Sequence, residues 1–171
     1  MNSRLTHEFF RRDVLTVAPE LLGKILVRKF SSSDEKRYII TEVEAYSAPH
    51  DLACHASKGR TARTEVMFRD GGLVYVYLIY GIFWMLNIVT GREGEASAVL
   101  IRGIQETSGP GRVGKLLQLD KSFYGEDLYV SDRLWIEDSS LTLPYKSLPR
   151  VGIDYAGEPW ISIPWRYLAE L

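Results

Sequence analysis

Apolar positions along the chain change spacing several times, and each change marks a predicted element. "TVAPELLGK" (16–24) has helical spacing, with Pro19 tolerated in a first turn and Gly23 able to take the left-handed conformation that ends the helix. "KILVRKF" (24–30) predicts a strand, "SSSDE" (31–35) has turn composition, and "RYIITEVEAY" (37–46) predicts a second strand pairing with the first. Residues 47–64, "SAPHDLACHASKGRTART", lose the periodicity and predict a long polar loop with basic residues, the kind of ordered loop that often carries function. The uncharged stretch "GGLVYVYLIYGIFWMLNIVTG" (71–91) approaches the ~20 residues of a spanning helix. Its β-branched and aromatic residues, its central Gly81 and aromatics recurring at period two predict a buried hairpin instead. "ASAVLIRGI" (96–104) predicts another strand. "GPGRVGKLLQL" (109–119) is a glycine-rich lead into a short helix whose backbone N–H groups suit a phosphate. Residues 127–145 and 150–171 read as short strands and turns. With no repeat, low-complexity tract or linker, the pattern predicts an α+β single domain built on a mainly antiparallel curved β-sheet with a few short helices.

Side chains alternate across a strand, so a regular strand over 37–46 puts Ile40, Glu42, Glu44 and Tyr46 on one face and Thr41, Val43 and Ala45 on the other. That pattern fits a carboxylate face lining a cleft and a strand at the solvent boundary equally well. In "LVYVYLIYG", Tyr75 and Tyr77 share a face and Tyr80 lies on the other, beside a glycine where the chain can turn. Tyrosines so placed fit a core. They also fit a surface on which a nucleobase stacks, since each hydroxyl needs a partner. Lys58, Arg60, Arg63 and Arg69 offer phosphate contacts, or simply a solvated face.

The 171 residues are 46% hydrophobic and 25% charged with net charge -1, enough for a real core and too balanced for an overall basic surface. A polyanionic partner must therefore meet a local patch. One cysteine, Cys54, excludes an internal disulfide framework and a four-thiolate zinc site, reads as a small buried thiol, and points to a reducing intracellular compartment. His7 and His50 read as exposed loop residues, and three scattered histidines make no zinc set. The N-terminal "MNSRLTHEFFRRD" lacks the apolar run of a signal peptide.

"EVEAY", then "H…SKGRTAR", "MF", "LVYVYLIYG", "MLNI", "VLIR", "GPGRVGKLL" and "RVGIDYAGE", in this order from Arg4 to about Trp165, resemble the alkyladenine or 3-methyladenine DNA glycosylase family. The resemblance implies a monofunctional enzyme that flips an alkylated or deaminated purine out of duplex DNA and hydrolyses its N-glycosidic bond. It gives Glu44 the role of general base on the attacking water and Arg102 that of holding water and carboxylate. Tyr46, His55 and Tyr77 become the walls around the base, Asn87 the residue that penalises guanine's exocyclic amine, and Tyr80 the wedge. Tyr75, Arg60, Arg63 and Lys58 join Tyr80 as DNA-binding residues. No lysine stands where a Schiff-base nucleophile would, so no lyase step is expected. The implied partner is double-stranded DNA containing damaged purines, met by a monomer in the bacterial cytoplasm or a eukaryotic nucleus, with no metal or organic cofactor and no membrane.

Each residue also admits a structural role: Glu44 as ion-pair partner of Arg102, Asn87 as an amide tying strands, Glu42 as structural. Two departures from the family pattern stand out. "TART" (61–64) replaces the common "TPRN", removing a proline and an asparagine that would stiffen the loop, and the chain stops at "PWRYLAEL", which predicts loss of a final strand. Two other functions fit the residues: a non-catalytic module that stacks single-stranded bases, and a small-glycoside hydrolase using Glu42 and Glu44, about 7 Å apart along a strand, as an acid–base pair.

Overall fold

The computed structural model describes residues 2–171; Met1, which opens the N-terminal stretch, lies outside them. A single turn, α1 (His7–Phe10), leads into α2 (Val14–Leu21). The helix starts earlier than the apolar pattern predicts, because the Asp13 carboxylate accepts from Leu15 N at 2.7 Å and caps it. Val14, Val17, Ala18 and Leu21 then form one buried face. Pro19 consequently lies sixth in the helix, not in its first turn. The helix ends two residues later, so only one ladder bond is lost. Its C-cap is Leu22, whose backbone is already extended; Gly23 takes the expected positive φ, +87, one residue later, and its N–H donates to Ile40 O instead of to a helix carbonyl.

β1 (Ile25–Ser31) and β2 (Asp34–Ser47) form the predicted hairpin. β3 (Val74–Ile79) and β4 (Phe83–Thr90) form the second one out of the uncharged stretch, and no helix among the described residues is long and apolar enough to cross a membrane. β5 (Ser97–Ile104), the short β6 (Thr107–Ser108), α3 (Pro110–Leu116), β7 (Leu134–Glu137), β8 (Tyr145–Leu148) and β9 (Arg166–Ala169) follow. The strands make one curved antiparallel sheet of order β3-β4-β5-β2-β1-β7, with β9 paired to the second half of β2 and β8 beyond it. The last residues thus do form a strand, with Glu42 opposite Leu168 and Glu44 opposite Arg166.

One face of the sheet packs under the helices. Val43 and Ala45 of β2, Val74 and Val76 of β3, Leu86 and Ile88 of β4, and Val99 and Ile101 of β5 meet Val17, Ala18 and Leu21 of α2 and Val113 of α3 in the main core. Ile40 belongs to this core too, which corrects its expected place beside the acids. β2 does not run straight: its register against β5 shifts between Ile40 and Glu42 and again before Val43, so the core-facing parity passes from Tyr38 and Ile40 to Val43 and Ala45. Gly103, opposite the bulge, makes room for it, since a Cβ there would stand 3.1 Å from Glu42 Cβ and 3.2 Å from Thr41 Oγ1. Without the bulge, a strand with Ile40 in the core would send Glu44 there as well.

The opposite face is covered in part by residues 47–69. This segment contains two 3₁₀ turns, His55–Lys58 and Glu65–Phe68, and packs Cys54, Ala56, Val66 and Met67 against Tyr75, Val89 and Ala98. Cys54 is the buried thiol expected, pushed up to about 12 by its burial.

Candidate active site

Where that cover stops, the sheet floors a cavity of about 540 Å³. A row of paired residues crosses the floor from strand to strand: Tyr75 opposite Asn87, Asn87 opposite Leu100, Leu100 opposite Glu44. Of the residues singled out in the sequence, Glu44, Tyr46, His55, Arg63, Tyr75, Tyr77, Tyr80, Asn87 and Arg102 all line this one cavity, whereas Lys58 and Arg60 do not.

Glu44 is 0% exposed. Its Oε1 accepts from the Tyr46 hydroxyl at 2.7 Å and its Oε2 from the Val151 N–H at 2.7 Å, so each oxygen has one fixed donor and a lone pair left over. Burial pushes this carboxyl above its usual range, and Arg102, the Val151 N–H and Tyr46 oppose that without cancelling it. Arg102 is not its ion-pair partner in the close sense: Nη1 stands 3.7 Å from Glu44 Oε1, while Nε donates to Glu42 Oε1 at 2.8 Å. Glu42 also lies 3.5 Å from Arg166, so two guanidinium groups hold it and it in turn aims Arg102 across the pocket.

Tyr46, His55 and Tyr77 come together at the cavity from three segments. The His55 and Tyr77 rings meet edge to face, centroids 4.5 Å apart, and His55 Nδ1 shares a 2.9 Å hydrogen bond with the Tyr75 hydroxyl. Burial, then the nearby Arg63 charge, pushes His55 down to about 4, so the ring is neutral at physiological pH. Tyr75 is 1% exposed beneath these rings, which removes it from any DNA-facing surface; its role is to hold His55. Asn87 lines the cavity, and its Nδ2 donates to Tyr75 O at 3.3 Å, tying β4 to β3 as the structural reading expects.

Tyr80 stands at the tip of the β3–β4 hairpin, 88% exposed. It and Gly81 take positive φ, +54 and +69, with Ile82 N donating back to Ile79 O at 3.1 Å, the pattern of a type I′ turn. A left-handed tyrosine is strained by about 1–2 kcal/mol, and strain of this kind concentrates at functional positions.

The basic residues divide. Lys58 and Arg69 are exposed, and Arg60 pairs with Glu65 at 3.1 Å and lies over Phe68. Arg63 does not point away from the pocket: its guanidinium lies 5.1 Å from the Tyr77 ring centroid as a cation–π contact. The "TART" stretch is well fastened despite its departure from the family pattern. Thr61 N donates to Thr64 Oγ1 at 3.0 Å, Thr64 N donates to Thr61 Oγ1 at 3.2 Å, and Tyr124 clamps the carbonyls of Ala62 and Arg63. Two hydroxyls in reciprocal hydrogen bonds replace the missing proline and asparagine. The glycine-rich lead of α3 reaches the cavity mouth through Gly109, Pro110, Gly111 and Arg112.

Sequence reasoning missed Val151, Asp51, Arg150 and Tyr155. Arg150 and Asp51 form a two-pronged ion pair, 2.6 and 2.9 Å, with both side chains fully buried. Tyr155 lines the cavity and donates to Ala53 O at 3.0 Å. The "RVGIDY" string contains three of these four, but their partners lie about a hundred positions away, and only the tertiary structure brings them together.

A curved antiparallel sheet thus carries one cavity, floored by a buried carboxylate and walled by tyrosines and a neutral histidine, with arginines at its rim. The model of the methylpurine-DNA glycosylase (MPG) family matches residues 8–108 and 105–170, and the chain belongs to that family. Curated relatives agree. It is 45% identical over 163 residues to a Legionella pneumophila (strain Corby) protein named "Putative 3-methyladenine DNA glycosylase", covering 91% of this chain and 88% of that one. Proteins of the same name from Rickettsia felis (41% over 171 residues, 96% and 92% covered) and Natranaerobius thermophilus (37% over 188 residues, 96% and 94% covered) are similar over nearly the whole chain. Membership makes the protein a hydrolase of N-glycosyl bonds with DNA as substrate.

Proposed function

We propose that the chain is one DNA glycosylase domain over residues 1–171 that extrudes alkylated or deaminated purines, 3-methyladenine and hypoxanthine among them, from double-stranded DNA, and hydrolyses their N-glycosidic bond to start base excision repair. The observation that carries this reading is a fully buried carboxylate with both oxygens aimed and a lone pair to spare, at the floor of an aromatic cavity. Glu44 takes a proton from the water as its oxygen bonds to the sugar C1′, and the base departs with the electrons of the broken bond. The ionised carboxylate also favours the positive charge developing on the sugar. A purine alkylated on the ring stacks more strongly between electron-rich rings and leaves more readily. Tyr46, Tyr77 and the neutral His55 supply such rings without repelling a cationic base. Tyr80, at an exposed tip, fills the gap in the duplex, and extrusion costs least for a damaged or mispaired base. No lysine takes part, so the product is an abasic site with an intact backbone. The enzyme acts as a monomer in a reducing intracellular compartment, without a cofactor.

Glu42 argues against the glycoside-hydrolase alternative, because its two oxygens are engaged by Arg102 at 2.8 Å and Arg166 at 3.5 Å and are not presented to a substrate. The test is incubation with duplexes bearing 3-methyladenine or hypoxanthine, beside Glu44→Gln. Free base released by the wild type, none by the variant and equal binding by both is the expected result. Binding without release by the wild type would replace the enzyme with a base-stacking module.

A further inference from the structure

Beyond the groups that would meet base and water, the most deeply buried charges are Arg150 and Asp51, whose side chains have no exposed surface. They join three segments. The Arg150 Nη1 donates to Ala45 O at 2.9 Å, the carbonyl between Glu44 and Tyr46, and its guanidinium lies 4.8 Å from the Tyr46 ring centroid and 5.1 Å from that of Trp165. Asp51 accepts from Ser47 N at 3.1 Å and Ala53 N at 3.0 Å, tying down the end of β2 and the loop that follows. Next along the chain from Arg150 comes Val151, whose N–H donates to Glu44. The arginine Nε is buried with no partner, an unsatisfied donor incurred where the guanidinium faces both rings.

We propose that the Arg150–Asp51 pair is the positioning device of Glu44, fixing in place both donors that aim its two oxygens, the Tyr46 hydroxyl from one side and the Val151 N–H from the other. The inference rests on the reading of Glu44 as general base. Arg150 is a positioning residue and touches neither base nor water. Other groups also face the carboxylate: Tyr46 on β2, Arg102 on β5, which Glu42 shares, and Tyr77 on β3. Tyr155 faces it from the segment after Arg150, and Arg166 of β9 reaches it only through Glu42. Of the groups acting on Glu44, only Arg150 is continuous in chain or contact with both fixed donors.

Arg150→Lys keeps the charge but replaces a planar fork with a single ammonium, which cannot hold two carboxylate oxygens and the Ala45 carbonyl together. Single-turnover base release should fall about ten- to a hundredfold while affinity for the damaged duplex stays within about threefold, since a misaimed base costs rate more than binding. With its donors loosened, Glu44 should titrate at higher pH, both in the acid limb of the rate profile and in a direct carboxyl-carbon NMR titration of the free protein. Asp51→Asn, which keeps the shape, should do the same if the lysine variant does not fold. Arg133→Lys, loosening a surface pair with Glu126 elsewhere, is the control, and should lower thermal stability without moving the Glu44 titration. An unshifted Glu44 titration, or rate and affinity falling together, would overturn the proposal. A wild type that releases no base, with Glu44 still shifted in Arg150→Lys, would sink the glycosylase reading alone and uphold the positioning role.

Discussion

The floor of the pocket and the tip of the β3–β4 hairpin are made of neighbouring strands yet are built to opposite rules. On the floor, Glu44 is buried and each of its oxygens is bonded, His55 is held by Tyr75, and Arg102 is held by Glu42. At the tip, Tyr80 is 88% exposed, in a strained left-handed conformation, and Ile82 beside it is 68% exposed. A group that activates water works only from a fixed position, and positions are fixed by burial and complete hydrogen bonding. A group that enters a duplex must reach beyond the fold, so its geometry is set by the turn beneath it. The two regions should therefore fail differently when altered.

The largest difference belongs to Glu44→Gln. Base release should drop about 10²–10⁴-fold, while the fold gains. Glutamine fits the site, accepting from Val151 N with its oxygen and donating to the Tyr46 hydroxyl with its amide. Burial raises the folded-state pKa of Glu44 above its unfolded value, so its favourable contribution is present at low pH and is lost as pH rises through the folded pKa. The variant should thus melt higher than wild type at pH 7, with the gain shrinking as pH falls toward the unfolded value of about 4.3. Calorimetry at both pH values checks the sign. A lower melting temperature at pH 7 would mean that the ionised carboxylate holds the floor together and does not strain it.

Tyr80→Gly carries the comparison to the other region. It removes the wedge and the left-handed strain at once, so release from duplex DNA should fall about tenfold or more. The melting point should stay level or rise slightly, about 1–2 kcal/mol of strain being offset by about 0.5–1 kcal/mol of backbone entropy. On a single-stranded substrate, where no gap needs filling, the loss should largely disappear. A loss of the same size on both substrates would make Tyr80 a wall of the pocket and not a wedge.

How far the sequence discloses these regions depends on how local their causes are. The hairpin, its aromatic faces and the turn at Gly81 follow from period-two spacing within about twenty residues, and all are found in the structure. The face of β2 was legible only in part. Its bulge breaks the alternation at Thr41 and Glu42, and its one sign in the sequence, a glycine at position 103, is not local: it sits about sixty residues away on the partner strand. The start of α2 was available, since Asp13 stands directly before Val14, Val17, Ala18 and Leu21, but Pro19 suggested a later start. Asp51 and Arg150 could not be read at all, because a buried ion pair has no spacing of its own. The same holds for Tyr75, whose hydroxyl meets His55, a residue twenty positions earlier in the loop that follows β2.

Tyr75→Phe tests the floor where no charge is at stake. Removing one hydroxyl leaves the ring packed but frees His55 to turn, at a cost of about 1 kcal/mol for the lost hydrogen bond. At this chain length that lowers the melting point by about 2–4 °C. Release should slow a few-fold, through weaker holding of the base and with the acid limb unmoved, since His55 is already neutral there. An acid limb that shifts in Tyr75→Phe would show that His55 titrates during the reaction.

Smallest in rate, and most revealing about the rim, is Lys58→Ala. This side chain is exposed, lies outside the cavity and enters no salt bridge among the described residues, in contrast to Arg60 beside Glu65 and Arg63 above Tyr77. If Lys58 meets a phosphate, its loss should weaken damaged and undamaged duplexes alike and lower the salt dependence of binding by about 0.9 in log–log slope, one counterion's worth. Release at saturating enzyme should not change. Arg63→Ala should lower the rate as well, because it strips a cation from a pocket wall. Were Lys58→Ala to slow release at saturation, the division between a chemical floor and an electrostatic rim would fail, because a side chain outside the cavity would then act on the bond being broken.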